Sequence, residues 1–409
     1  MEEFMFRENL SAMARERLGE SEIAEMITLV LENGAISFGA GEPSHDLFPK
    51  EGIREAFVDA FDDPDIWGYY HDSYGDTGLR AWIAERMGLD SMAPAWVAPE
   101  HVLLTNGGGE AVSLVSEALI DAGSVVLVES PTYTETLLTF RKQGAVCALV
   151  PSDDDGLIPE EMERILARLR ARFLYTIPNF QNPSGRTSPV ERRKKILEIA
   201  RRHDLAIVED DPYHYLSYDG AAPESYLRLA GDDKRVIHCN SFSKTLAPGL
   251  RVGWAIVPPA LASVFEPLRV SAGLGRPALV QKAVHAYLGG IDFSMRIAGL
   301  CSEYKRRRDV MLEMIARHLS PLGIRTNVPK GGFFIWAQVP ADTREDFDSG
   351  AFAKHAVTAE KIGVIPGNAF YPEKTREGAR AFRLSYAKIK TDDMEEGVAR
   401  LARAWNAFA

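Results

Sequence analysis

Between about residues 100 and 260, short runs of aliphatic and β-branched residues alternate with longer stretches whose apolar positions recur every three to four residues. Val102-Leu-Leu104, Val125-Val-Leu-Val128, Phe173-Leu-Tyr175, Leu205-Ala-Ile-Val208, Val236-Ile-His238 and Trp254-Ala-Ile-Val257 read as strands. Residues 110–121, 159–169 and 189–202 read as amphipathic helices between them. Several strand runs are apolar throughout, as expected where both faces of a parallel sheet are covered. The βα alternation predicts an α/β unit built on a mostly parallel sheet.

After Pro258 the pattern turns helical through about residue 318, with a long amphipathic stretch at 293–318 that can join two domains. A second, smaller α/β region follows. Gly332-Phe-Phe-Ile-Trp336, Val364-Ile365 and Phe382-Arg-Leu-Ser385 read as its strands and 391–407 as a closing helix. A helical stretch at 8–32 is expected to pack with this smaller domain. The expected division is an N-terminal segment at 1–44, a large domain at 45–290 and a small domain at 291–409. A chain of 409 residues exceeds what one hydrophobic core usually serves, which favours such a division.

Composition narrows the function. A hydrophobic fraction of 46% supplies a sizeable core, and a net charge of -11 argues against nucleic acid as a partner, since phosphate neutralisation needs a basic face. The basic runs Lys305-Arg306-Arg307-Arg308 and Arg192-Arg193-Lys194-Lys195 fall in helical patterns and read as solvated helix faces. Cys147, Cys239 and Cys301 have no metal-ligand spacing, so no metal is expected and reduced thiols are the default. No leader-like pattern and no membrane-spanning apolar run stand out, so a cytoplasmic location without a membrane partner is expected.

The chemistry concentrates in Ser241-Phe-Ser-Lys244-Thr-Leu-Ala-Pro-Gly-Leu-Arg251. A lysine amine can condense with an aldehyde as a Schiff base, while Ser241, Ser243 and Arg251 offer donors and charge to a phosphate. The cofactor implied is pyridoxal 5'-phosphate (PLP). Upstream, Glu209-Asp210-Asp211-Pro212-Tyr213 follows a buried strand, and open α/β sheets bind ligands at the carboxyl ends of their strands. Such a cofactor needs a carboxylate opposite its ring nitrogen, because the protonated ring is the strong electron sink; Asp210 suits that position. Tyr213 and Asn182, in Asn179-Phe-Gln-Asn182-Pro183, can reach the ring's phenolic oxygen, and Tyr133 follows the strand at 125–128 directly. Taken singly, these motifs are also ordinary turns, an acidic corner or a surface lysine. Their order along the chain is what those readings leave unexplained.

With these residues in order, the chain resembles the fold-type I PLP enzymes, specifically the class I/II aminotransferases and the branch holding 2-aminoadipate, kynurenine and aromatic aminotransferases. The resemblance runs from Ile36-Ser-Phe-Gly-Ala-Gly41-Glu-Pro43 to Phe382-Arg383-Leu-Ser-Tyr386. It implies that Lys244 carries the cofactor, Asp210 pairs with the ring nitrogen, Asn182 and Tyr213 hold the ring oxygen and Tyr133 stacks on the ring. It also implies that Arg383 grips the substrate α-carboxylate and that Tyr70 reaches the phosphate of the neighbouring subunit in a homodimer. The expected reaction is ping-pong transfer of an amino group between an L-amino acid and a 2-oxo acid. Gly107, Gly108 and Gly109, between a strand and a helix, place backbone amides towards the phosphate. Many relatives carry serine and glutamine at the positions of Gly108 and Gly109, so this cup departs from theirs. Residues 14–26, Gly39–Gly41, Tyr70 and 270–276 are expected along the substrate pocket, with Gly41 a substrate-binding position. Two alternatives stay open: another PLP-dependent reaction on the same scaffold (elimination, decarboxylation, oxidation or cyclisation), and a ligand-sensing protein.

Overall fold

In a computed structural model the described residues are 9–17, 21–67, 74–273 and 277–408. The larger sheet comprises β1 (Val102–Thr105), β2 (Val125–Ser130), β3 (Val146–Asp153), β4 (Gly156–Leu157), β5 (Phe173–Thr176), β6 (Ala206–Asp210), β7 (Val236–Ser241) and β8 (Gly253–Ile256). Their order is β1-β8-β7-β6-β5-β2-β3-β4. The five consecutive strands β7, β6, β5, β2 and β3 are parallel, and the remaining pairings are antiparallel. Two apolar clusters cover the two faces: Val126, Val128, Tyr175 and Val208 belong to one, Leu127, Leu174 and Ile207 to the other. Successive strand residues point to opposite faces, so a continuous apolar run serves both. Strand β3 carries no clear strand pattern in the sequence, because its apolar run is diluted by Cys147 and Ala148 and interrupted by Pro151.

The smaller sheet is antiparallel, with β9 (Arg325–Thr326), β10 (Phe334–Gln338), β11 (Ile365–Pro366) and β12 (Ala381–Ser385) in the order β9-β10-β12-β11. The chain's start joins it: Ile36–Ser37 pairs in parallel with Ile362–Gly363, and Ser385 N–H donates to Phe38 O at 2.7 Å. Helix α1 (Glu22–Glu32) is capped by Ser21, whose hydroxyl accepts from Ala24 N–H. The expected helical stretch at 8–32 is therefore split, with a separate single turn at Met13–Arg17.

The large sheet's helices include α2 (Gly108–Leu119), α3 (Thr134–Gln143) and α4 (Val190–Arg202). Helix α5 (Phe293–His318) occupies the span its periodicity predicts and starts at Asp292, whose carboxylate accepts from Met295 N–H at 3.0 Å. The basic runs are only in part solvated faces. Arg307 and Arg308 of α5 are 4% and 5% exposed; the first reaches Asp46 and Ala387 O, the second Asp219 and Pro329 O. Arg193 of α4 is fully buried. Each is retained because its donors meet carbonyl or carboxylate oxygens brought in from distant segments.

Candidate active site

A cavity of about 710 Å³ opens where the carboxyl ends of β6 and β7 face the smaller sheet and α1. Asp210 is the last residue of β6 and lines it. Its Oδ2 accepts a hydrogen bond from Tyr175 OH at 2.7 Å, and Tyr175 OH in turn accepts from Thr136 Oγ1 at 3.0 Å. Burial, reinforced by the neighbouring charge of Asp211, pushes the Asp210 carboxyl up to about 6, with the Tyr175 bond opposing the rise. In the sequence Tyr175 looks like one more apolar position of a buried strand, and no local signal marks this role.

Lys244 stands three residues beyond β7 and lines the same cavity, its Nζ donating to Gly41 O at 2.9 Å. Burial first, then the positive charge of Arg383, brings its pKa down to about 8. The amine lies 5.7 Å from the centre of the Tyr213 ring, which is itself buried. Arg383, on β12, is 2% exposed and donates through Nη1 to Asn182 Oδ1 at 2.7 Å and through Nη2 to Gly39 O at 2.6 Å. Phe334 lies beneath its guanidinium at 4.2 Å and Phe370 at 5.1 Å, while Nε has no partner. Burial lowers its pKa to about 10, still leaving a cation at neutral pH. A dry arginine whose Nε has no partner, and whose Nη1 and Nη2 each keep a second N–H beyond these bonds, suits a carboxylate. Tyr133 and Gly41 complete this part of the wall.

At the opposite corner, Gly107 caps α2 with φ +86°, and a Cβ there would run into the Arg251 guanidinium. Gly108 and Gly109 form the first turn of the helix and line the cavity beside Ser241, Ser243 and Arg251. Arg251 is exposed and left-handed (φ 52°), and its Nη2 donates to Asn106 O at 2.7 Å. Ser241 Oγ accepts from Ser243 N–H at 3.3 Å. Around Gly108 an added Cβ would meet nothing nearer than 3.8 Å, and around Gly109 nothing within 4 Å. These two glycines are therefore not imposed by packing against the protein and leave room in the corner.

A helix N-terminus, two serine hydroxyls and an arginine at one end suit a phosphate; a depressed lysine amine, a buried carboxylate and a tyrosine at the other suit a phosphorylated pyridine aldehyde. The residues present thus fit PLP. Tyr70 lies outside the described residues. Of the expected substrate-pocket stretches, Ile23 and Gly41 line the cavity and Gly39 holds Arg383; residues 270–273 do not line it, and 274–276 lie outside the described residues. On the far face of β6, Glu209, Asp211 and His238 bring their ligating atoms within 4.8 Å of one another. Glu209 is taken up by Tyr226 N–H, Leu227 N–H and His238 Nδ1, and Asp211 by Asn179 Nδ2, so the group reads as a buried hydrogen-bonded network. Glu129, near the end of β2, likewise carries no local signal of a role. Its carboxylate accepts from Ile177 N–H, Thr176 Oγ1 and Gln181 Nε2, steadying the loop that carries Asn182, and burial pushes its pKa to about 7.

Residues 33–401 match the family described as aminotransferase class I and II. The 2-aminoadipate transaminase of Thermus thermophilus is 35% identical over 95% of this chain and 94% of its own. Aromatic-amino-acid aminotransferase 1 of Thermococcus litoralis is 32% identical over 93% of this chain and 90% of its own. Among solved structures, an α-aminoadipate aminotransferase of Thermus thermophilus, complexed with N-(5'-phosphopyridoxyl)-L-leucine, superposes with a TM-score of 0.89 at 33% identity, covering 99% of both chains.

Proposed function

The chain belongs to the class I and II aminotransferases, and from that premise we propose that it moves an amino group between an L-amino acid and a 2-oxo acid, with PLP as cofactor and one substrate leaving before the next arrives. When bound, PLP supplies an aldehyde that takes up an amine and a protonated ring that delocalises charge from the substrate α-carbon. The observation that carries the reading is a lysine amine, held near pKa 8, in one cavity with Asp210 and Arg383.

In this reading Lys244 would hold the cofactor covalently and, once freed by substrate, its Nζ would take the proton from the substrate α-carbon and deliver it to the carbon that had been the cofactor's aldehyde. Asp210, steadied by Tyr175, keeps the ring nitrogen protonated. Tyr213 and the donor end of the Asn182 amide hold the ring oxygen, and Tyr133 covers the ring. The amides of Gly108 and Gly109, with Ser241, Ser243 and Arg251, hold the phosphate; Tyr70 of a second subunit adds to them in a homodimer. Arg383 fixes the α-carboxylate through its planar fork and so sets which α-carbon bond is weakened. Aminotransferase relatives matched along nearly the whole chain favour this over another PLP reaction or a sensing role. The three free cysteines suit a reducing cytoplasm. Reduction of the loaded protein with borohydride, followed by peptide mapping, should find the cofactor on Lys244. Label on another lysine would refute the assignment.

A further inference from the structure

Four cations line the active-site cavity among the described residues, and three are accounted for by the proposed chemistry: Lys244 as the reacting amine, Arg251 at the phosphate corner and Arg383 at the α-carboxylate. The fourth, Lys388, lies three residues beyond β12. Its Nζ sits 2.5 Å from Glu42 Oε2, and Glu42 Oε1 lies 2.9 Å from His45 Nε2. The side chains of Lys388 and Glu42 are 41% and 38% exposed, so their pair is wet and contributes little. Another carboxylate can replace Glu42 at small cost, and Glu42 keeps His45 and water when it does.

The wall on the α1 side has the opposite character. Ile23, Ile27 and Leu31 follow one another at four-residue spacing on a single helix face and line the cavity, and Ile27 and Leu31 are 41% and 74% exposed. Such a surface receives an apolar side chain and gives nothing to a charged one. One cavity that serves two substrates in turn therefore offers an apolar wall and, apart from it, an exchangeable cation.

Resting on the amino-transfer reading of this cavity, we propose that Lys388 is a specificity-determining residue: it leaves Glu42 to bind the distal carboxylate of a dicarboxylic amino acid or 2-oxo acid, while the α1 face takes neutral side chains. The test compares kcat/KM for glutamate with that for phenylalanine in the PLP-loaded enzyme. It also measures calorimetric affinities for glutarate and 3-phenylpropionate, which carry no amino group and cannot react. Lys388→Met should lower the glutamate-to-phenylalanine ratio at least tenfold, chiefly through KM, and weaken glutarate by a similar factor with 3-phenylpropionate within twofold. Glu42→Gln, which frees Lys388, should raise the ratio severalfold. An unaltered ratio and glutarate affinity in Lys388→Met, or equal losses for both substrates, would overturn the proposal. If the unaltered enzyme transferred no amino group from any donor, the amino-transfer reading would fall, and the glutarate measurement would still decide the part played by Lys388.

Discussion

At the scale of single residues, burial sets the chemistry. Lys244 is the plainest case. The neutral amine is the form that attacks an aldehyde, and the protein holds its pKa near 8 against an ordinary 10.5. Uptake of PLP by the cofactor-free protein should accordingly quicken with pH and level off above a midpoint near 8, followed by absorbance in stopped flow; a midpoint near 10.5 would show the amine to be unperturbed. The same shift bears on stability. Between about 8 and 10.5 the unfolded chain binds the proton that the native amine has lost, so this group's contribution to stability rises with pH across that window. The phosphate corner gives a second prediction. Space around Gly108 and Gly109 admits side chains, and a hydrogen bond to a charged acceptor is worth about 1.5–3 kcal/mol. Gly108→Ser with Gly109→Gln should slow the loss of pyridoxamine phosphate on dialysis. Unchanged or faster loss would mean the glycines serve close approach of the backbone or room for a ligand.

At the scale of elements, one buried arginine holds the loop that carries Asn182. From α4, Arg193 donates to Pro178 O at 3.1 Å, Asn179 Oδ1 at 2.6 Å, Ser188 O at 2.8 Å and Glu224 O at 2.8 Å, clamping both ends of residues 178–188. Its neighbour Arg192 pairs with Asp153, whose side chain is 45% exposed. Arg193→Met strands several acceptors in a dry interior, at about 1–3 kcal/mol for each group left unsatisfied, whereas Arg192→Met loses a partly solvated pair worth about 1 kcal/mol or less and one hydrogen bond, to Leu157 O at 2.8 Å. Urea unfolding should therefore find Arg193→Met the less stable of these two adjacent variants, by about 1 kcal/mol or more. Equal midpoints would mean that water enters to replace Arg193.

At the scale of the whole molecule, the site is expected to be completed by a second copy of the chain. Phe61 and Trp67, 49% and 73% exposed with ring centres 6.1 Å apart, present an apolar surface, and Trp67 precedes Tyr70 by three positions in the sequence. If Tyr70 of one subunit serves the phosphate of the other, Lys244→Ala and Tyr70→Phe chains mixed together will form hybrids with one doubly damaged site and one intact site. Activity should reappear when the two inactive or weakened homodimers exchange subunits. No recovery after exchange has been verified by mass would place Tyr70 within its own subunit's site.

Local pattern determined the α/β alternation, the span of the helix at 293–318 and the motifs around Asn182, Asp210 and Lys244, while Arg383 was marked only by the resemblance to a family; the fold gathers all four residues into one cavity. Periodicity states which positions turn away from water, and strand ends and glycine turns state where side chains can reach a ligand; both are properties of neighbouring residues. Tertiary structure alone decided which groups meet. Tyr175 reaches Asp210 only because β5 and β6 lie side by side in the sheet in the register that pairs Tyr175 with Val208. Arg193, Arg307 and Arg308 could be told from solvated neighbours only once their distant oxygens were in place. Glu42 and Lys388 are 346 residues apart in the chain, and no local signal relates them. A buried or exchangeable charge depends on its partner, and partners are chosen by packing across the fold rather than by spacing along the chain.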